Sequence, residues 1–151
     1  MMHRHLDRFT DQHESFLQAR EFLAKEPRRF AGIVIDVFFD HFLTIHWNQY
    51  SDHLLPAFIE EIYNTLERHR DWLSPDLARG LPLMRKENWF PSYGTLEGQA
   101  LTFERISERS PRLAPIRRST DDLMAHYQSL DHSFQQFLAA ARAQAKLLLA
   151  R

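Results

Sequence analysis

Ile33-Val34-Ile35-Asp36-Val37-Phe38-Phe39-Asp40-His41-Phe42-Leu43-Thr44-Ile45 sets two carboxylates and a histidine in one of the most apolar stretches of the chain, nine of its thirteen residues being apolar. The apolar residues fall on every side of a helix, which predicts a largely buried central helix over about 28 to 47. A buried carboxylate needs a cation or strong hydrogen bonds, and a metal ion would supply that compensation. Residues four apart on a helix differ by about 40° of rotation, so Asp36 and Asp40 project from one face and can share a cation. His41 is rotated by about 100° from Asp40, so the three converge only if another segment brings a metal to the seam between them. A second reading stays open, in which Asp36 pairs with a neighbouring arginine and His41 is a hydrogen-bonded core histidine.

Outward from that stretch, apolar residues recur at helical spacing almost throughout, only 4 Gly are present and alternating strand patterns are absent, so the expected class is all-α. The expected architecture is a single-domain helical bundle of about six helices over residues 1–151. A helix near 11 to 24 opens on a Thr10-Asp11 cap pair and stops before Pro27. Pro56 fits only a first turn, so a third helix starts near Leu55 and ends around Trp72. Ser74-Pro75 opens a helix to about Glu87 that Gly80 and Pro82 are positioned to interrupt. Trp89 to Gly98 reads as an aromatic loop, Thr95 as the cap of a helix from 96 to 108, and Ser119 to Asp122 as the start of the longest helix.

The 151 residues are enough for one domain with a real core. A hydrophobic content of 44% with 13% aromatic argues against disorder, and 26% charged residues argue against a membrane protein. No signal-peptide pattern or membrane-length apolar run is present, so a cytoplasmic location is expected. Zero Cys excludes disulfides and thiol nucleophiles, leaving His and carboxylates to hold any metal. A net charge of -1 gives no global footprint for nucleic acid. The local exception is Arg109, Arg112, Arg117 and Arg118, a segment without acidic residues that is either a solvated loop or a docking site for an acidic partner. No Gly-rich phosphate loop, serine-hydrolase elbow or dinucleotide fingerprint occurs.

At the N-terminus His3 and Asp7 are again four apart, and Asp11 extends the row on a continuous helix. Arg4 and Arg8 offer the competing reading, ion pairs with Asp7 and Asp11 on an exposed helix. Together His3, Asp7, Asp36, Asp40 and His41 make a nitrogen and oxygen donor set suited to Mn, Fe, Zn or Mg. Such a site lowers the pKa of a bound water and neutralises a phosphate, which makes phosphoester hydrolysis the natural reaction class.

The stretch His3-Arg4-x-x-Asp7-x-x-Thr10-Asp11, then Arg28-Arg29, then Asp36-Val37-Phe38-Phe39-Asp40-His41-Phe42-Leu43-x-x-His46-Trp47, resembles the acyl carrier protein phosphodiesterase family. Asn88-Trp89, Tyr93, Gly98, Ile106-Ser107-x-Arg109, Pro111-Arg112-Leu113 and Leu123-x-x-His126-Tyr127 continue the likeness over nearly the whole chain. The Asp-x-x-x-Asp-His-Phe-Leu element is its most specific part.

The resemblance implies an all-helical relative of the HD-type metal-dependent phosphohydrolases that removes 4′-phosphopantetheine from a carrier-protein serine, with manganese as the usual metal. It gives the arginine segment a role, because acyl carrier proteins are strongly acidic. The leading expectation takes His3, Asp7, Asp36, Asp40 and His41 as candidate metal ligands, Arg4 as a group that holds a phosphate oxygen and an unliganded carboxylate such as Asp11 as the base. Family members ordinarily carry Phe-Leu-Ala-His and Leu-Ala-Asp-Phe-like elements ahead of His-Arg, so the expectation is an N-terminally truncated domain bearing part of the site. The competing expectation is a catalytically incomplete homologue that binds a carrier protein or self-associates as a homodimer, without nucleic acid or membrane partners.

Overall fold

The computed structural model describes residues 9, 10 and 12–150. Among them are nine α-helices, three 3-10 segments and no strand, so the all-α expectation holds. In chain order the helices are α1 (Glu14–Glu21), α2 (Ala31–Ile45), α3 (Trp47–Tyr50), α4 (Leu55–Arg68), α5 (Pro75–Lys86), α6 (Trp89–Ser92), α7 (Leu96–Ser107), α8 (Thr120–Ala125) and α9 (Tyr127–Leu149). The excess over six comes from single turns and breaks. The central helix ends before His46, the aromatic loop holds the one-turn α6, and the last helix is interrupted at His126. None of the described helices is long and apolar enough to cross a membrane.

Local chemistry explains several boundaries. His13, not Thr10, caps α1, its Nδ1 accepting from the Ser15 amide at 3.1 Å. Ser74 caps α5 as the sequence predicts, its hydroxyl accepting from the Leu77 amide at 3.3 Å. Pro82 does not interrupt α5. A proline there removes the N–H that would reach the Ala78 carbonyl, and the Arg70 guanidinium donates to that oxygen instead at 2.9 Å.

The described residues gather into two compact units. One runs up to Phe39 and resumes at Ala100, and its core includes Phe16, Leu23, Phe38, Phe103, Leu123 and Phe134. Within it Phe38 meets Phe103 edge-on at 5.6 Å, and Phe39 packs on Phe134 and Phe137 at 5.5 and 5.3 Å. The Asp122 carboxylate accepts from the Ala24 amide at 3.0 Å, fastening the chain just after α1 to α8. The other unit, Asp40–Gln99, buries Ile59, Tyr63 and Leu81 with Leu55, Leu66, Leu73, Met84 and Phe90 against them.

Tyr63 closes this second core. Its hydroxyl donates to Met84 O at 3.0 Å, one of the last four carbonyls of α5, which have no intrahelical partner. Burial raises its pKa above the ordinary value of about 10. Because the folded value is the higher one, its contribution to stability is complete below about pH 10 and is lost as pH rises through the folded value. Tyr63→Phe is therefore expected to cost about 1 kcal/mol at neutral pH and to flatten the alkaline loss, measured by urea unfolding at a series of pH values.

Candidate functional site

The helix that carries the site candidates has two unlike faces. Gly32, Ile33, Asp36 and Asp40 are exposed and lie within about 100° of one another around the axis of α2. Val34, Ile35, Phe38, His41 and Phe42 are buried. The expectation that the carboxylates are buried is thus corrected: the few polar residues of this apolar stretch select its outward face, where burial imposes no large cost on their charge. The desolvation argument for a cation falls away. What remains is spacing, two carboxylates one turn apart on the outward face of an unbroken helix.

His41 belongs to the opposite environment, with 3% of its surface exposed. Its Nδ1 lies 2.9 Å from the Tyr93 carbonyl oxygen. A carbonyl only accepts, so Nδ1 carries the proton and, in the neutral ring, Nε2 carries the lone pair. That tautomer serves a metal-ligating histidine and a core histidine equally well. The ring also packs edge-on against Phe42 at 5.2 Å.

The same carbonyl accepts a second buried donor, Gln99 Nε2 at 3.2 Å, from the first turn of α7. The chain between is held by its own turns. Asn88 takes a left-handed conformation, with φ at 50°, to open α6. Thr95 caps α7, its hydroxyl accepting from the Gly98 amide at 3.0 Å and donating to Ser92 O at 3.2 Å. A β-carbon on Gly98 would collide with the Ser92 carbonyl, so glycine is needed there for close approach of two backbone segments. Sequence reasoning saw Thr95 as a cap but missed Gln99 and the Tyr93 carbonyl. An amide one residue beyond Gly98, at a helix start, was the available signal.

Beside Asp40, within the second unit, lies a mainly apolar cavity of about 130 Å³ lined by Leu43, Trp47, Phe58, Ile62 and Tyr93 among others. Nothing in the apolar spacing of the sequence marks a cavity here. His3, Arg4, Asp7 and Asp11 lie outside the described residues. Among the described residues no three His, Asp or Glu side chains form a group able to hold a metal ion. Asp36 and Asp40 offer hard oxygen donors, which suit Mn or Mg, and they account for only part of a ligand set.

The arginine segment forms the 3-10 stretch Pro111–Arg118 with its preceding turn, and all four of its arginines are exposed. Arg117 meets Glu104 at 3.4 Å and Glu108 at 3.0 Å, and Arg118 meets Asp121 at 3.0 Å. Arg109 and Arg112 form no ion pair with a described residue.

An all-helical fold with a carboxylate-bearing helix edge defines a class too broad to fix a reaction, and comparison with known proteins narrows it. Residues 1–141 match the model of the family described as acyl carrier protein phosphodiesterase. The acyl carrier protein phosphodiesterase of Photorhabdus laumondii is 32% identical over 137 residues, 90% of this chain and 69% of that protein. Those of an Enterobacter species and of Salmonella agona are 32% and 34% identical, over 96% and 95% of this chain and 76% and 75% of their own lengths. No solved structure matches significantly. The chain belongs to the acyl carrier protein phosphodiesterase family.

The close approach at Gly98 gives a direct test of the frame around Tyr93. Gly98→Ala is expected to destabilise by about 1–3 kcal/mol. Gly80→Ala, where a β-carbon meets nothing within 4 Å inside α5, is expected to stabilise by about 0.5–1 kcal/mol. Chemical denaturation of both variants checks the pair of signs.

Proposed function

We propose that this protein hydrolyses the phosphodiester joining 4′-phosphopantetheine to the serine of a holo acyl carrier protein, with a divalent metal, manganese first among candidates, as cofactor. The observation that carries the proposal is the family match along residues 1–141, together with curated relatives named for this activity. In the reaction a water oxygen bonds to phosphorus and the bond from phosphorus to the serine oxygen breaks. The serine oxygen takes up a proton, and the products are apo carrier protein and 4′-phosphopantetheine.

The exposed Asp36 and Asp40 pair, joined by His3 and Asp7, is the proposed metal-holding edge. A bound divalent cation supplies charge neutralisation at phosphate and lowers the pKa of water. Arg4 is proposed to hold a phosphate oxygen and Asp11 to accept the proton from the attacking water. The sequence offers His41 as a further ligand. Its bond to Tyr93 O and its distance around the helix from Asp36 favour a different part, setting the rotation of α2 so that Asp40 faces outward. Recognition of the acidic carrier is assigned chiefly to Arg109 and Arg112, since Arg117 and Arg118 already share their charge with Glu104, Glu108 and Asp121.

Incubation with holo acyl carrier protein and Mn2+, read by the mass of the carrier, is expected to show loss of the phosphopantetheine arm. An unchanged carrier at high enzyme concentration contradicts the proposal. Asp40→Ala is expected to abolish Mn2+ binding in calorimetry and to lower turnover by more than the 10- to 100-fold typical of losing an outer-shell partner, roughly speaking. Its thermal unfolding should barely change, because Asp40 is exposed. Arg109→Ala and Arg112→Ala should raise KM with little change in kcat, an effect that shrinks with added salt.

A further inference from the structure

The cavity beside Asp40 is small and mainly apolar with Asp40 in its lining, a combination that the hydrolysis itself does not require. Its lining, including Leu43, Trp47, Phe58 and Ile62, offers hydrocarbon and ring surface, with Asp40 and Thr44 as its polar members beside the Tyr93 ring. Trp47 and Phe58 are fixed against each other at 4.6 Å, and the Trp47 indole N–H donates to His53 O at 2.6 Å, so this wall is preformed. A volume of about 130 Å³ suits one small branched or cyclic hydrocarbon group, since a cavity of roughly 150 Å³ takes benzene. That excludes the whole pantetheine arm and any long acyl chain.

We infer that this cavity receives the gem-dimethyl group of the pantoyl part of 4′-phosphopantetheine, an inference that rests on the function proposed above. In phosphopantetheine one methylene separates the phosphate oxygen from the quaternary carbon that bears the two methyls. A phosphoryl group held on the Asp40 side of α2 therefore carries those methyls to the adjoining cavity, while the rest of the arm passes outside. The three carbons fit within the volume, and apolar walls reward their burial. The cavity would thus recognise the feature that distinguishes a phosphopantetheine diester from a simple alkyl phosphodiester.

The test is saturation-transfer NMR of free 4′-phosphopantetheine with the full chain, read proton by proton and independent of turnover. Saturation is expected to be greatest at the two methyl singlets and to be lost in Ile62→Trp and in Leu55→Trp, two variants that fill the cavity from different residues of α4. Saturation spread evenly along the arm, centred on its thiol end, absent at millimolar ligand, or unchanged in whichever variant folds overturns the inference. In parallel, holo carrier protein and a carrier whose arm lacks the two methyls are compared as substrates, with an expected kcat/KM difference of roughly tenfold from burying two methyl groups. Cleavage of holo carrier without methyl saturation overturns the cavity assignment and leaves the proposed activity standing. Methyl saturation lost in the variants, with no cleavage, supports the cavity and overturns the activity.

Discussion

One backbone carbonyl orders this site. Tyr93 O accepts from His41 Nδ1 and from Gln99 Nε2, and both donors are buried. If the carbonyl moved, two desolvated polar side chains would lose a partner, at about 1–3 kcal/mol each. The arrangement therefore fixes which side of α2 turns inward. With His41 inward, Asp40 about 100° away turns outward, and helical periodicity brings Asp36 to the same edge. The chemistry proposed for the carboxylates depends on a histidine that need not touch the substrate.

Close backbone approach sustains that carbonyl. Gly98 passes the Ser92 carbonyl where no side chain fits, Thr95 ties the start of α7 to Ser92, and Asn88 makes the left-handed step into α6. These residues are chosen for backbone geometry rather than reactivity. Asn88 and Gly98 are also among the positions that carry the family likeness.

Much of the fold was legible because its signals are local. Ser74 and Thr95 act at helix starts through bonds spanning three residues, Pro56 acts there through its fixed φ, and apolar spacing sufficed for the all-α class. What was illegible was set by long-range partners. Pro82 sits inside α5 because Arg70, twelve positions away, serves the carbonyl it leaves open. Asp36 and Asp40 are exposed although their neighbours are apolar, since a helix with only a few polar residues still turns them to water. Arg117 shows the same logic, since the folded chain brings it Glu104 and Glu108, 13 and 9 positions back, whereas Arg118 pairs locally with Asp121.

The central claim is that the outward edge of α2 holds a metal and is not merely a solvated face. Titration of isotopically labelled protein with Mn2+, followed through paramagnetic broadening of backbone amides, tests it directly. The account predicts that the amides around Asp36 and Asp40 broaden first and that Asp40→Ala abolishes the effect. Broadening centred on other acidic surfaces, such as Glu60, Glu61 and Glu67 of α4, with the α2 amides untouched, would contradict it.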